Sequence, residues 1–92
     1  MISTPVTVKN LLGLHARAAN LLAQQASAFS AQVTLEDPEN GRQVDAKSIM
    51  QLLMMAAGQG SALVLHVEGE DAAEATRVLT ALFNDGFGEP CG

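Results

Sequence analysis

Two side chains near the N-terminus have the types and spacing for phosphoryl chemistry. His15 and Arg17 lie in NLLGLHARAA, residues 10 to 19, between an extended segment and the first run of helical periodicity. A histidine just ahead of a helix start meets unpaired backbone N–H groups and the positive end of the helix dipole. That field holds an anion and disfavours a protonated ring, so it biases His15 toward the neutral, nucleophilic imidazole near pH 7. The amides of Ala16 and Arg17 offer donors to phosphate oxygens, and the Arg17 guanidinium can neutralise their charge. Together these groups make a phosphate-accepting histidine. On spacing alone the plainer reading stays open and is the commoner one: a partly exposed turn histidine beside a solvated helix arginine.

The other chemistry-bearing residues offer less. His66 lies on the polar side of an alternating segment and reads as a surface residue. Cys91 is the single cysteine, in a tail containing glycine and proline, so there is no disulfide framework and no CxxC. With two histidines and no clustered ligands, neither a metal nor an organic cofactor is expected. Ser48 could be imagined as a hydrolase nucleophile with a histidine as base. That reading lacks a carboxylate to orient the base and a GxSxG-type oxyanion motif. The simpler role for Ser48 is to open a helix, with Gln51 at the capping-box spacing.

Positioning His15 requires the elements around it. Residues 2–9 read as a strand with Val6 and Val8 on one face, and Pro5 argues for a sheet edge because proline cannot donate to a neighbour. Ala16, Ala19, Leu22, Ala23 and Ala26 recur at helical spacing and predict a helix over 16–29. Val33 and Leu35 mark a second strand and residues 42–44 a third. Asn40-Gly41 between them supplies the positive φ angles of a tight antiparallel hairpin. The apolar run Ile49 to Ala57 is a second helix, stopping at Gly58. It is apolar nearly all round, so it either sits deep or presents an apolar patch for binding, and one face in each role is the preferred reading. Leu52, Met54 and Met55 stay ambiguous between the two. Leu63, Leu65 and Val67 alternate as a fourth strand. A last helix, capped by Asp71 with Glu74 at the box spacing, carries the stripe Ala75, Val78, Leu79, Leu82 and Phe83 and ends over 84–86. The order βαββαβα with three single-stripe helices predicts an α+β fold, a two-layer open-faced sandwich in which the helices cover one face of a four-stranded, mainly antiparallel sheet. The domain is expected to span 1–88, with residues 89–92 a short flexible tail.

Composition narrows the function. The chain has 92 residues, 48% hydrophobic and 16% charged, which suits one compact core and not a deep multi-substrate cleft. Its net charge of −5, ten acidic against five basic residues, leaves no basic stripe for nucleic acid. The apolar stretch Leu52 to Ala57 falls far short of the ~20 residues a membrane-spanning helix needs. The start MISTPVTVKN does not read as a signal peptide, and a cytoplasmic protein is expected.

Three segments, GLHARA at 13–18, AKSIMQLLMMAAGQG at 46–60 and HVEGEDAAEA at 66–75, occur in the order and spacing of one family. Across nearly its whole length the chain resembles the HPr family of phosphocarriers of the bacterial phosphotransferase system. The resemblance implies that His15 accepts on Nδ1 a phosphoryl group from phosphorylated enzyme I, which takes it from phosphoenolpyruvate, and that an EIIA-type protein receives it. Arg17 matches the arginine beside that histidine. Ser48 matches the serine that a dedicated HPr kinase/phosphorylase modifies in many members. The family's docking face would fall on Leu14, Ala18, Leu21, Ile49, Met50 and Leu53. The implied protein is a monomeric transfer intermediate and not a free-standing enzyme. Two departures stand out. Many members have proline where Ala18 stands, and Gln24 and Ser27 replace residues often lysine in sugar-transport members. Ala18 and the ending ALFNDGFGEP resemble the nitrogen-related branch, so a non-transporting regulator, binding kinases, transcription factors or metabolic enzymes according to the phosphorylation of His15 or Ser48, is the alternative.

Overall fold

Alternation and helical stripes resolve into the expected order. A computed structural model describes residues 1–92. It contains β1 (Ile2–Thr7), α1 (Ala16–Ser27), β2 (Gln32–Asp37), β3 (Arg42–Asp45), α2 (Ile49–Met55), β4 (Ala62–Glu68), α3 (Ala72–Asn84) and a final 3₁₀ turn, Gly86–Gly88. The four strands run in the order β1-β4-β2-β3, and every neighbouring pair is antiparallel. β1 is an edge strand, which leaves the missing N–H of Pro5 without consequence for the sheet.

Period-two alternation places Val6, Val33, Leu35, Val44, Leu63, Leu65 and Val67 in the core. Against them pack Ala19, Leu22, Ala23 and Ala26 of α1, Leu52 and Met55 of α2, and Ala75, Leu79 and Phe83 of α3, all in one cluster. Ala16, expected on that inner stripe, is exposed. In α3, Val78 and Leu82 are only partly buried, flanking the stripe. The ambiguity in α2 resolves by face: Leu52 and Met55 go inward, while Met50 and Met54 point to solvent.

Several ends differ from the local signals. The ladder of β1 stops at Thr7, although Val8 still donates to the Ser61 carbonyl at 3.0 Å. The β2–β3 connection is a four-residue loop, 38–41, closed by the Gly41 amide on the Asp37 carbonyl at 2.9 Å. Gly41 adopts a positive φ of 72° and Asn40 does not, because the longer loop needs only one left-handed residue. α2 stops at Ala56, which takes the left-handed conformation at φ 53°, ψ 37°, two residues before Gly58. Reversal there lets Ala57 return to the core and offer its carbonyl to Leu14.

Of the two expected capping boxes, one forms in part and the other does not form. Ser48 Oγ accepts the Gln51 amide at 3.3 Å, but Gln51 Oε1 accepts from the Asp45 amide at 2.9 Å, since the Ser48 amide is already bonded to the Asp45 carbonyl. Asp71 makes no side-chain cap to α3. Its carboxylate reaches across the fold to the amides of Ser30 and Ala31, each at 2.8 Å, and Glu74 pairs with Arg77. A tertiary pair of donors has displaced the local one.

Candidate functional site

His15 is the N-cap residue of α1, with extended backbone angles (φ −78°, ψ −177°) and no side-chain cap bond. The loop that delivers it is set by Gly13. That residue has φ +67°, and a Cβ there would lie 2.5 Å from the Ala57 carbonyl oxygen, so only glycine fits without movement. The adjacent Leu14 amide donates to the same carbonyl at 2.9 Å. Buried Asn10 ties the loop from its other end, its Nδ2 donating to the Gly13 carbonyl at 2.7 Å. His15 thus leaves a braced turn with about a third of its side chain (31%) exposed.

The backbone N–H groups of Ala16, Arg17 and Ala18 have no intramolecular acceptor; the first bonded amide of the helix is that of Ala19, on the His15 carbonyl at 2.8 Å. These are the free donors of a helix N-terminus, suited to phosphate oxygens. Arg17, also exposed, anchors Nη1 on the Phe87 carbonyl at 2.9 Å and on Glu89 Oε2 at 2.8 Å.

Glu89 completes the cluster, and local sequence signals do not single it out. Its Oε2 also lies 2.7 Å from His15 Nε2, and its Oε1 accepts from Asn10 Nδ2 at 3.0 Å. Burial alone would raise its pKa, but hydrogen bonds from Arg17, Asn10 and His15, with the charge of the ring when protonated, outweigh it and hold the carboxyl below the usual glutamate value. It is therefore ionised at neutral pH. A carboxylate has no proton to give, so the neutral ring must donate from Nε2 and carry its lone pair on Nδ1. Nδ1 has no hydrogen-bond partner in the chain and remains the available nucleophile.

The segment from 89 onward is tied to the site. The Leu11 amide donates to the Pro90 carbonyl at 2.9 Å and Gln59 Nε2 to the Cys91 carbonyl at 2.9 Å. The signal in the sequence is Phe87: an aromatic residue between two glycines after the last helix must be buried somewhere, and here it is fully so. Leu11, Leu12, His15, Arg17, Glu89 and Pro90 line an open concavity of about 380 Å³.

Of the residues expected on a docking face, Ile49, Met50 and Leu53 are exposed and Leu21 is half-buried. Leu14 and Ala18 are not available: they are 4% and 0% exposed. Leu14 turns inward because its amide is pinned to Ala57, and Ala18 heads the inner row that continues through Leu22 and Ala26. Leu11 and Leu12, 56% and 69% exposed, stand beside the histidine instead. Ser48 opens α2, where Lys47, Ile49 and Met50 join Gln24 and Ser27 of α1 around a second concavity. His66 bridges the outer sheet face, Nδ1 to Ser3 Oγ and Nε2 to Glu36 Oε1, both at 2.7 Å.

An open-faced α+β sandwich here presents a partly exposed imidazole at a helix N-terminus, a surface site suited to binding an anion. The family model described as "PTS HPr component phosphorylation site" matches residues 2–85. The chain is similar to the phosphocarrier protein HPr of Cupriavidus necator, 49% identical over 89 residues, covering 97% of this chain and 98% of that one. It is also similar to the HPr-like protein Crh of Halalkalibacterium halodurans, 42% identical over 81 residues, 88% and 94% of the two chains. A solved HPr from Thermoanaerobacter tengcongensis superposes with a TM-score of 0.91 at 40% identity, over 97% of this chain and 98% of that one. HPr from the same organism has also been solved as a dimer, with a TM-score of 0.76, 40% identity and coverage of 97% and 100%. The chain belongs to the HPr family, the phosphocarriers of the phosphotransferase system.

Proposed function

We propose that this protein accepts a phosphoryl group at His15 Nδ1 from phosphorylated enzyme I and passes it to EIIA-type proteins in the cytoplasm, acting as a single copy and without a cofactor of its own. The observation that carries the reading is the division of labour on the imidazole: Nε2 is taken by Glu89, Nδ1 has no partner, and the first three amides of the helix that His15 caps are unpaired. The incoming group is displaced in line, its oxygens held by those amides and by Arg17. Glu89 and Arg17 cancel each other's charge, so the dianion approaches a site that is electrically near neutral. Ile49, Met50, Leu53 and Leu21, with Leu11 and Leu12, supply the apolar contact. With Gln24 and Ser27 where lysine is common, docking depends on that apolar surface.

The test is labelling from radioactive phosphoenolpyruvate with enzyme I. The wild-type chain takes up acid-labile label and hands it to EIIA, and His15→Ala takes up none. Label retained by His15→Ala would refute the assignment.

The similarity to a Crh protein, together with Ala18, supports a second reading as a regulator whose binding follows phosphorylation of His15 or, by HPr kinase/phosphorylase, Ser48. Presenting the labelled chain with sugar-type and nitrogen-type EIIA proteins separates the two. Transfer to the sugar type supports transport, and transfer to the nitrogen type alone supports regulation.

A further inference from the structure

Three donors converge on Glu89, from Asn10, His15 and Arg17, and its side chain is only 9% exposed. We infer that Glu89 is a positioning residue for phosphoryl transfer: it keeps the His15 proton on Nε2 throughout the cycle, so that neither half of the transfer requires a proton to move. The inference rests on the carrier reading and deepens it.

The atom balance gives the reason. The Nδ1 lone pair of the neutral ring forms the new N–P bond while the donor's bond to phosphorus breaks and its electron pair stays with the donor. His15 becomes a phosphoimidazolium, positively charged, with its proton still on Nε2. Loss of that proton would leave a neutral phosphoimidazole whose departing group is an imidazolate anion, a poor leaving group. With the proton retained, onward transfer breaks Nδ1–P, the pair returns to Nδ1, and the ring departs as a neutral imidazole. An anionic acceptor 2.7 Å from Nε2 favours the protonated ring. The same logic holds the imidazolium of hydrolase triads, where the carboxylate orients the ring and offsets its charge without taking the proton.

The surroundings suit this role. Arg17 shares Oε2 with the imidazole, so the carboxylate does not present a bare charge to the incoming phosphate. Asn10 fixes the other oxygen, and Phe87, fully buried two residues earlier, anchors the segment that carries Glu89. The other ionisable groups near this cluster are Asp85, at the end of α3, whose Oδ2 and Arg17 Nη2 both lie about 4 Å from where a Cβ on Gly88 would sit, and the Cys91 thiol, whose Sγ approaches the Glu89 carbonyl at 3.6 Å.

The full-length chain, labelled with ¹⁵N in histidine, is compared with Glu89→Gln and Glu89→Ala. In the unphosphorylated wild type the His15 Nε2–H resonance is visible through slowed exchange with water. It persists in Glu89→Gln, which keeps an acceptor oxygen, and vanishes in Glu89→Ala. In the phosphorylated chains, transfer to EIIA is followed from about pH 6 to about pH 9. The wild-type rate stays level to higher pH, while Glu89→Ala falls about tenfold per pH unit once the ring proton dissociates, and Glu89→Gln lies between. Identical resonances and pH profiles in all three labelled proteins would overturn the inference alone. Failure of wild-type His15 to take up label would overturn the carrier reading and this role with it.

Discussion

The ring of Phe87 meets that of Phe83 edge-on, with centroids 5.0 Å apart and planes at 63°. Through this pair the last helix holds the segment that follows it, and the carbonyl of Phe87 in turn receives Arg17. The contact is strong enough to keep Phe87 at a φ of 56°, a conformation that costs a non-glycine residue roughly 1–2 kcal/mol. Removing a buried aromatic ring costs about 3–5 kcal/mol. Phe87→Ala should therefore lower the unfolding free energy obtained from urea titration by an amount in that range, with a lower midpoint, and should increase amide exchange at Glu89 and Cys91. A midpoint within error of the wild type would mean that the ring does not anchor the segment.

Arg17 spans two acceptors, the Phe87 carbonyl and Glu89 Oε2. A single charge-assisted hydrogen bond contributes about 1.5–3 kcal/mol, which corresponds to roughly tenfold or more in rate if it acts at the transition state. Arg17→Ala should slow phosphoryl transfer by about that factor. Arg17→Lys should recover only part of it, because an ammonium cannot reproduce the planar fork of the guanidinium. Rapid-quench kinetics decide the matter, and equal rates in all three proteins would exclude Arg17 from the transfer step.

Gly13 lies against the Ala57 carbonyl with no room for a side chain. Gly13→Ala combines a clash with an unfavourable positive φ, so a loss of at least about 1 kcal/mol is expected. Because the same turn delivers His15, the labelling rate should fall along with the melting temperature. Retention of both would show that the turn can relax without displacing the ring.

Acid stability should depend on Asp71. The Ser30 amide, opposed in part by desolvation and reinforced by the Ala31 amide and by Lys47, holds its carboxyl below the ordinary aspartate value. A depressed native pKa gives stability that is fully present above the unfolded-state value of about 3.9 and is lost as pH falls through the lower native value. Asp71→Asn should remove this component, making stability less steeply dependent on pH below about 4. Thermal melts of both proteins across that interval test it, and parallel curves would exclude Asp71 as the source.

Ser48 accepts the Gln51 amide at 3.3 Å, a long bond, so Ser48→Ala should cost no more than the low end of the usual cap loss, about 0.5 kcal/mol. Ser48→Asp keeps an oxygen acceptor at the cap and adds a charge favourable to the helix. It should preserve the fold while weakening enzyme I binding by several-fold, because the charge lies beside exposed Ile49 and Met50. Calorimetric titration giving the wild-type affinity would remove Ser48 from the docking region.

Short-range patterns were enough for the order of elements, for Pro5 at an edge and for His15 at the head of a helix. Alternation, helical stripes and turn residues act over a few neighbours, and burial of a single apolar face leaves each element little choice of orientation. Long-range partnerships follow a different rule. Asp71 has the spacing of a helix cap, yet Ser30 and Ala31 take its carboxylate from 41 and 40 positions away. The family resemblance puts Leu14 and Ala18 on a docking face, but packing pins the turn to Ala57 and draws both into the core. Glu89 reaches His15 from 74 residues along the chain. No periodicity encodes that approach, because a hydrogen bond requires only that two groups meet in space, and the meeting is set by where a buried ring of Phe87 lodges the end of the chain.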